Sequence, residues 1–119
     1  MSNYKELEVW KQAIELAKTV YKITASFPPS EVYGLVSQMR RSAISVASNI
    51  AEGAARNSDK EFIQFLYIAT GSVAELDTQY ILSRELQFTS ASKELEQSLT
   101  EIGKMLAGLI RHLKSSLES

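Results

Sequence analysis

Five polar residues recur at helical spacing in a stretch that is largely apolar. Gln38, Arg41, Ser45, Asn49 and Glu52 stand 3, 4, 4 and 3 residues apart. At 100° per residue they fall on one narrow stripe. A guanidinium, a hydroxyl, an amide and a carboxylate on one line could bind an anion, assist a proton transfer or tie one helix to another. Catalysis needs a nucleophile beside a base, or a group that titrates near neutral pH. The stripe holds neither. The only histidine is His112, and none of the serines has it as a partner of suitable sequence context. The stripe is therefore expected to be a structural polar network. A hairpin centred near Asn57 would place Gln38 near Leu76. It would place Arg41 within one turn of Glu75. A buried or half-buried Arg41–Glu75 pair is the natural expectation, since the arginine fork suits a carboxylate.

Other chemistries find less support. A metal site in a four-helix bundle wants Glu-x-x-His motifs and inward carboxylates. The residue three before His112 is Leu109, and cysteine is absent, so no metal or other cofactor is expected. No glycine-rich phosphate loop occurs, and Asn49-Ile50-Ala51-Glu52-Gly53 does not resemble one. The protein is expected not to be an enzyme.

The cations fall into three groups. Lys11, Lys18 and Lys22 share a face with Glu8 and Glu15, the pattern of a solvated, salt-bridged helix surface. Arg40, Arg56 and Lys60 flank or close the hairpin around Asn57. Lys104, Arg111 and Lys114 lie in the last helical segment, where the helix dipole favours positive charge. The latter two groups are the candidate nucleic-acid contacts. Each is weak alone, but phosphate contacts add when copies repeat around a ring.

These residues need long helices to position them. Leu7, Trp10, Ile14, Ala17 and Tyr21 keep a helical period up to Pro28-Pro29, which predicts a first helix over about residues 5–26. A second is expected over about 31–55. Ser58 and Glu61 have the spacing of a capping box and open a third, to about 87. Thr89, Ser90 or Ser92 caps a fourth, over about 91–117. Four matched helices with short connections predict an all-α fold, an up-down-up-down antiparallel four-helix bundle. Gly71, Gly103 and Gly108 fall inside helices, where close helix approach would justify them.

The second helix is unusual. Leu35, Val36, Met39, Ala43, Ile44, Val46, Ala47, Ile50 and Ala51 cover an arc of roughly 200°, where a surface helix needs about 100°. No charge occurs from Ser42 to Ala51. Such a helix is expected to be covered on two sides, the second by another copy of the chain.

The 119 residues are expected to form one domain, 1–119. A net charge of −1 and a pI near 5.9 argue against a dedicated, strongly basic nucleic-acid binder. No apolar run reaches the roughly 20 residues of a membrane span. The opening Met-Ser-Asn-Tyr-Lys-Glu-Leu-Glu lacks the order of a secretory leader, so a cytoplasmic location is expected.

Several short motifs taken together resemble a known family. They are Leu7-Glu8-Val9-Trp10, Phe27-Pro28, and Tyr33-Gly34-Leu35 with Gln38, Arg40, Arg41 and Ser45. Asn49-Ile50-Ala51-Glu52-Gly53, Ser58-x-x-Glu61-Phe62 and Gly71-Ser72 followed by Glu75-Leu76 complete the set. The chain resembles, over about residues 4–117, the bacterial four-helix-bundle proteins encoded by intervening sequences within 23S ribosomal RNA genes. That family is similar to the accessory protein of diversity-generating retroelements, a ring-shaped homopentamer that binds nucleic acid and a reverse transcriptase. The resemblance implies a homopentamer; a dimer is the runner-up expectation beside it. It also implies RNA, DNA or a reverse-transcriptase-like protein as partners. Family members often carry proline where this chain has Ala47, so the second helix is expected to be straighter here. The function expected is that of a non-enzymatic, ring-like scaffold engaging RNA, DNA or a nucleic-acid enzyme. The alternative is an adaptor that binds only protein.

Overall fold

The chain adopts four helices, seen in a computed structural model that describes residues 3–118. Residues 1 and 2 of the opening octet, and the last residue of the expected domain, lie outside the described residues. The helices are α1 (Glu8–Thr24), α2 (Leu35–Ala54), α3 (Asp59–Glu85) and α4 (Lys93–Glu118). Short 3₁₀ turns at Tyr4–Glu6 and Pro29–Glu31 precede α1 and α2. No strand occurs among the described residues.

Local chemistry sets the ends. Pro28 and Pro29 cannot continue a helix, and α1 stops at Thr24, whose hydroxyl turns back to the Val20 carbonyl at 2.7 Å. The second helix begins four residues later than expected, because Pro29–Glu31 forms its own tight turn before Gly34. Ser58 caps α3, accepting from the Glu61 N–H at 3.2 Å, and its hydroxyl donates to the Glu61 carboxylate. Of the three candidate caps for α4, Ser92 is the one used, accepting from the Leu95 N–H at 3.2 Å.

Each helix packs on its sequence neighbours, and α1 closes the square against α4. Contacts near both ends of each pair run in opposite senses. Arg40 reaches Thr24, while Leu7 and Ala54 line one hollow at the other end. Ser45 meets Ser72, and Met39 meets Ser83. Tyr80 meets Glu96, and Tyr67 meets Lys114. Thr19 meets Glu94, and Leu7 shares its hollow with Leu113. The body measures 51 × 20 × 20 Å. No helix among the described residues is long and apolar enough to cross a membrane.

The core is built from all four helices. Leu16, Met39, Ile50, Leu66, Leu76, Leu95, Ile102 and Leu106 have no exposed surface. Most of the wide apolar arc of α2 is covered by the chain itself, because α2 touches both α1 and α3. Val36, Met39, Ala43, Val46, Ala47 and Ile50 are all buried, and so is Ser42. Of this arc only Ile44, 46% exposed, stands out of the lone chain as a large side chain.

Candidate functional site

The polar stripe of α2 lies beside the α2–α3 seam, and only its middle is tied across that seam. The Ser45 and Ser72 hydroxyls share a hydrogen bond of 2.8 Å. The Asn49 amide donates to the Ser45 carbonyl at 2.8 Å and to its hydroxyl at 3.0 Å. Three small polar groups thus satisfy one another where two helices approach closely. Each would otherwise carry a desolvation cost.

The ends of the stripe behave differently. Glu52 pairs with Arg56 one turn on, at 3.3 Å. Gln38 and Arg41 are exposed, as is Glu75 on α3. The expected Arg41–Glu75 pair is not formed within the chain, and no ion pair among the described residues includes either group. Both side chains stand on the outer surface of the hairpin, where water solvates them and a pair gains little. The Ser45–Ser72 level also sits about three residues along from a hairpin centred on Asn57.

The tight point of the seam lies at Gly53. A Cβ there would come within 2.7 Å of the Phe65 Cβ and 2.9 Å of the Phe62 ring. Gly71 and Gly103, expected at close helix contacts, have nothing within 4 Å of such a Cβ. The crossing that needs glycine is at the hairpin end, where two aromatic side chains fold over α2.

The candidate cations separate into those engaged within the chain and those left open. Arg40 donates through Nε to the Thr24 hydroxyl at 2.9 Å and through Nη2 to the Tyr21 carbonyl at 3.3 Å. Its guanidinium also lies 4.3 Å from the Tyr21 ring centre. It caps the end of α1, where free carbonyls attract a cation. Arg56 rests on Phe65, 4.7 Å from the ring centre, while holding Glu52. Lys60 is exposed on the first turn of α3, and Lys104 is exposed on α4.

Arg111 and Lys114 line a groove of about 560 Å³ between α3 and α4. Tyr67, Thr70, Gly103 and Ala107 line it too, and Glu118 adds one negative charge. Lys114 Nζ sits 5.2 Å from the Tyr67 ring centre, and Tyr67 is 44% exposed. Sequence reasoning named both cations but missed Tyr67, which belongs to another helix and reads as one more aromatic in an apolar run. His112 is exposed. No group of three or more metal-binding side chains occurs among the described residues.

Comparison with curated proteins finds no match. Among solved structures, a protein of unknown function from the S23 ribosomal protein family of Bacteroides thetaiotaomicron is similar, with a TM-score of 0.61. The alignment covers 93% of this chain and 99% of that one at 20% identity, which shows a shared fold. Residues 5–108 match the family described as 23S rRNA-intervening sequence protein. The chain belongs to the 23S rRNA-intervening sequence protein family.

Proposed function

We propose that this protein is a non-enzymatic, cytoplasmic scaffold that assembles with copies of itself and engages RNA or DNA. The observation that carries the assembly is the outer surface of the α2–α3 hairpin. There Ile44 and Ile68 are 46% and 51% exposed, with no segment of the chain over them. Where open apolar side chains on one face of a small protein form a patch, they favour association. Cyclic closure buries the same surface in every copy. The number five comes from the resemblance, and a dimer is the runner-up.

The α3–α4 groove supports the nucleic-acid half. Arg111 and Lys114 border an exposed tyrosine, and a single strand is held by cations on its phosphates and aromatic rings beneath its bases. A second reading, an adaptor that binds only protein, draws on the engagement of Arg40 and Arg56 within the chain. A reverse-transcriptase-like enzyme is one such partner. Titration of a labelled structured RNA at low and moderate salt separates the readings. The scaffold reading expects binding that weakens steeply with salt. No binding at low salt leaves the adaptor. Light scattering coupled to size exclusion tests the assembly, and a monomer mass at micromolar concentration overturns it.

A further inference from the structure

The groove that holds Tyr67 does not end at Thr70. A second hollow, of about 460 Å³, shares Thr70 and continues along the α3–α4 seam. Small residues line both, Gly103 and Ala107 in the first and Ala74 in the second. A Cβ at Gly103 would meet nothing within 4 Å, so the furrow is open there. Its charge is divided by position. Arg111 and Lys114 lie in the first hollow, with Glu118 beside them. Asp77 and Glu96 lie in the second, which has no cation in its lining. Glu96 is bound by Tyr80 and Arg84. Among the described residues, no side-chain hydrogen bond or ion pair reaches Arg111 or Asp77.

Duplex binding draws on a row of cations spread over many phosphates. This furrow has no such row. A phosphate moving along it from Arg111 would meet Asp77 and Glu96, and like charges repel. The other candidate cations do not extend it. Arg40 and Arg56 are engaged within the chain. Lys60 stands between Asp59 and Glu61, and Lys104 shares a shallow hollow with Glu96 and Glu101. The furrow offers instead a half-exposed ring, a floor of small residues and two cations at one end. An unpaired base is flat and stacks on such a ring. In a duplex the base faces already lie on their neighbours, and a ring set between two helices does not reach them. Lys114 rests by the Tyr67 ring, and its flexible stem lets the ammonium follow a phosphate.

We propose that this groove selects unpaired nucleotides of a strand, with a base on Tyr67 over Gly103 and Ala107 and its phosphate held by Arg111 and Lys114. It takes single strands, loops and ends, and it discriminates against duplex. This rests on the nucleic-acid reading above and names its substrate class. Asp77 and Glu96 set the far limit of the site, so each copy holds only a short stretch of strand.

The test is fluorescence anisotropy at one low salt concentration, with a labelled unstructured RNA strand and the same strand annealed into a blunt duplex. Circular dichroism of each variant is the control for folding. The strand is expected to bind about tenfold or more tighter than the duplex. Tyr67→Leu removes the stacking ring, should weaken strand binding about tenfold, and should close the gap between strand and duplex. Tyr67→Phe keeps the ring and should keep the wild-type preference. Equal affinity of wild type for strand and duplex overturns this proposal and leaves the nucleic-acid reading intact. So does a strand preference unmoved by Tyr67→Leu. No binding of either probe overturns both.

Discussion

The Tyr80 hydroxyl donates to the Glu96 carboxylate at 2.6 Å and accepts from the Ser92 N–H at 2.8 Å. One side chain of α3 thereby holds both the residue that caps α4 and a carboxylate in its first turn. Its ring is buried, 2% exposed. Arg84 reaches the same carboxylate at 3.5 Å. Tyr80→Phe keeps the ring but leaves the Ser92 N–H and Glu96 without this partner. A loss of about 1–2 kcal/mol is expected, read by urea unfolding.

The same hydroxyl predicts an alkaline limit. Burial, and then the Glu96 bond, hold the Tyr80 phenol above its ordinary value of 10.0. The folded state therefore keeps the proton at a pH where the unfolded chain has released it. The contribution is present in full below pH 10 and declines as pH rises toward the folded-state value. Melting temperature against pH should fall more steeply above pH 10 in wild type than in Tyr80→Phe. Parallel curves would show that the phenol does not feel its surroundings.

The glycines make opposite predictions. Gly53→Ala drives a methyl into the Phe65 and Phe62 side chains and should cost about 1–3 kcal/mol, by the overpacking of a filled seam. Gly103→Ala meets nothing and gains helix propensity, so it should add about 1 kcal/mol. Thermal melts of the two variants should move in opposite directions.

The bundle is legible in the sequence because its signals are local. Pro28-Pro29 ends one period, and Ser58 with Glu61 opens another. The apolar repeats of α1 and α4 each point one way. What stands opposite a residue is not local. Gly53 lies near the end of a helical segment, and the aromatic side chains over it come from α3. Arg40 looked like a free cation, and its acceptors lie sixteen and nineteen positions earlier. The Arg41–Glu75 pair failed within the chain for the same reason. Nearness in register does not say whether two side chains turn toward each other or toward water.

The division between engaged and open cations yields a direct comparison. Arg40→Ala removes the bonds that cap α1 and should lower stability by about 1–2 kcal/mol. It should leave the salt dependence of RNA binding unchanged. Arg111→Ala and Lys114→Ala remove groove cations with no ion pair among the described residues, and should leave the melt near wild type. Each should reduce the steepness of the log affinity against log salt line by about one, if the groove holds phosphate. The reverse pattern would move the nucleic-acid surface to the α1–α2 end.

Gln79 offers a last test of the core. It is 8% exposed on α3, and its Oε1 is a buried acceptor with no hydrogen bond among the described residues. An unsatisfied buried amide oxygen carries a desolvation cost that no bond offsets. Methionine matches glutamine in length and removes that acceptor. Replacing an unsatisfied polar group by an apolar one of similar shape is neutral or stabilising. Gln79→Met should therefore raise stability by about 1 kcal/mol. Urea unfolding of the variant checks this at constant protein concentration, so that assembly does not shift the midpoint. A fall of similar size would mean that the Gln79 amide is held in solution by a buried water.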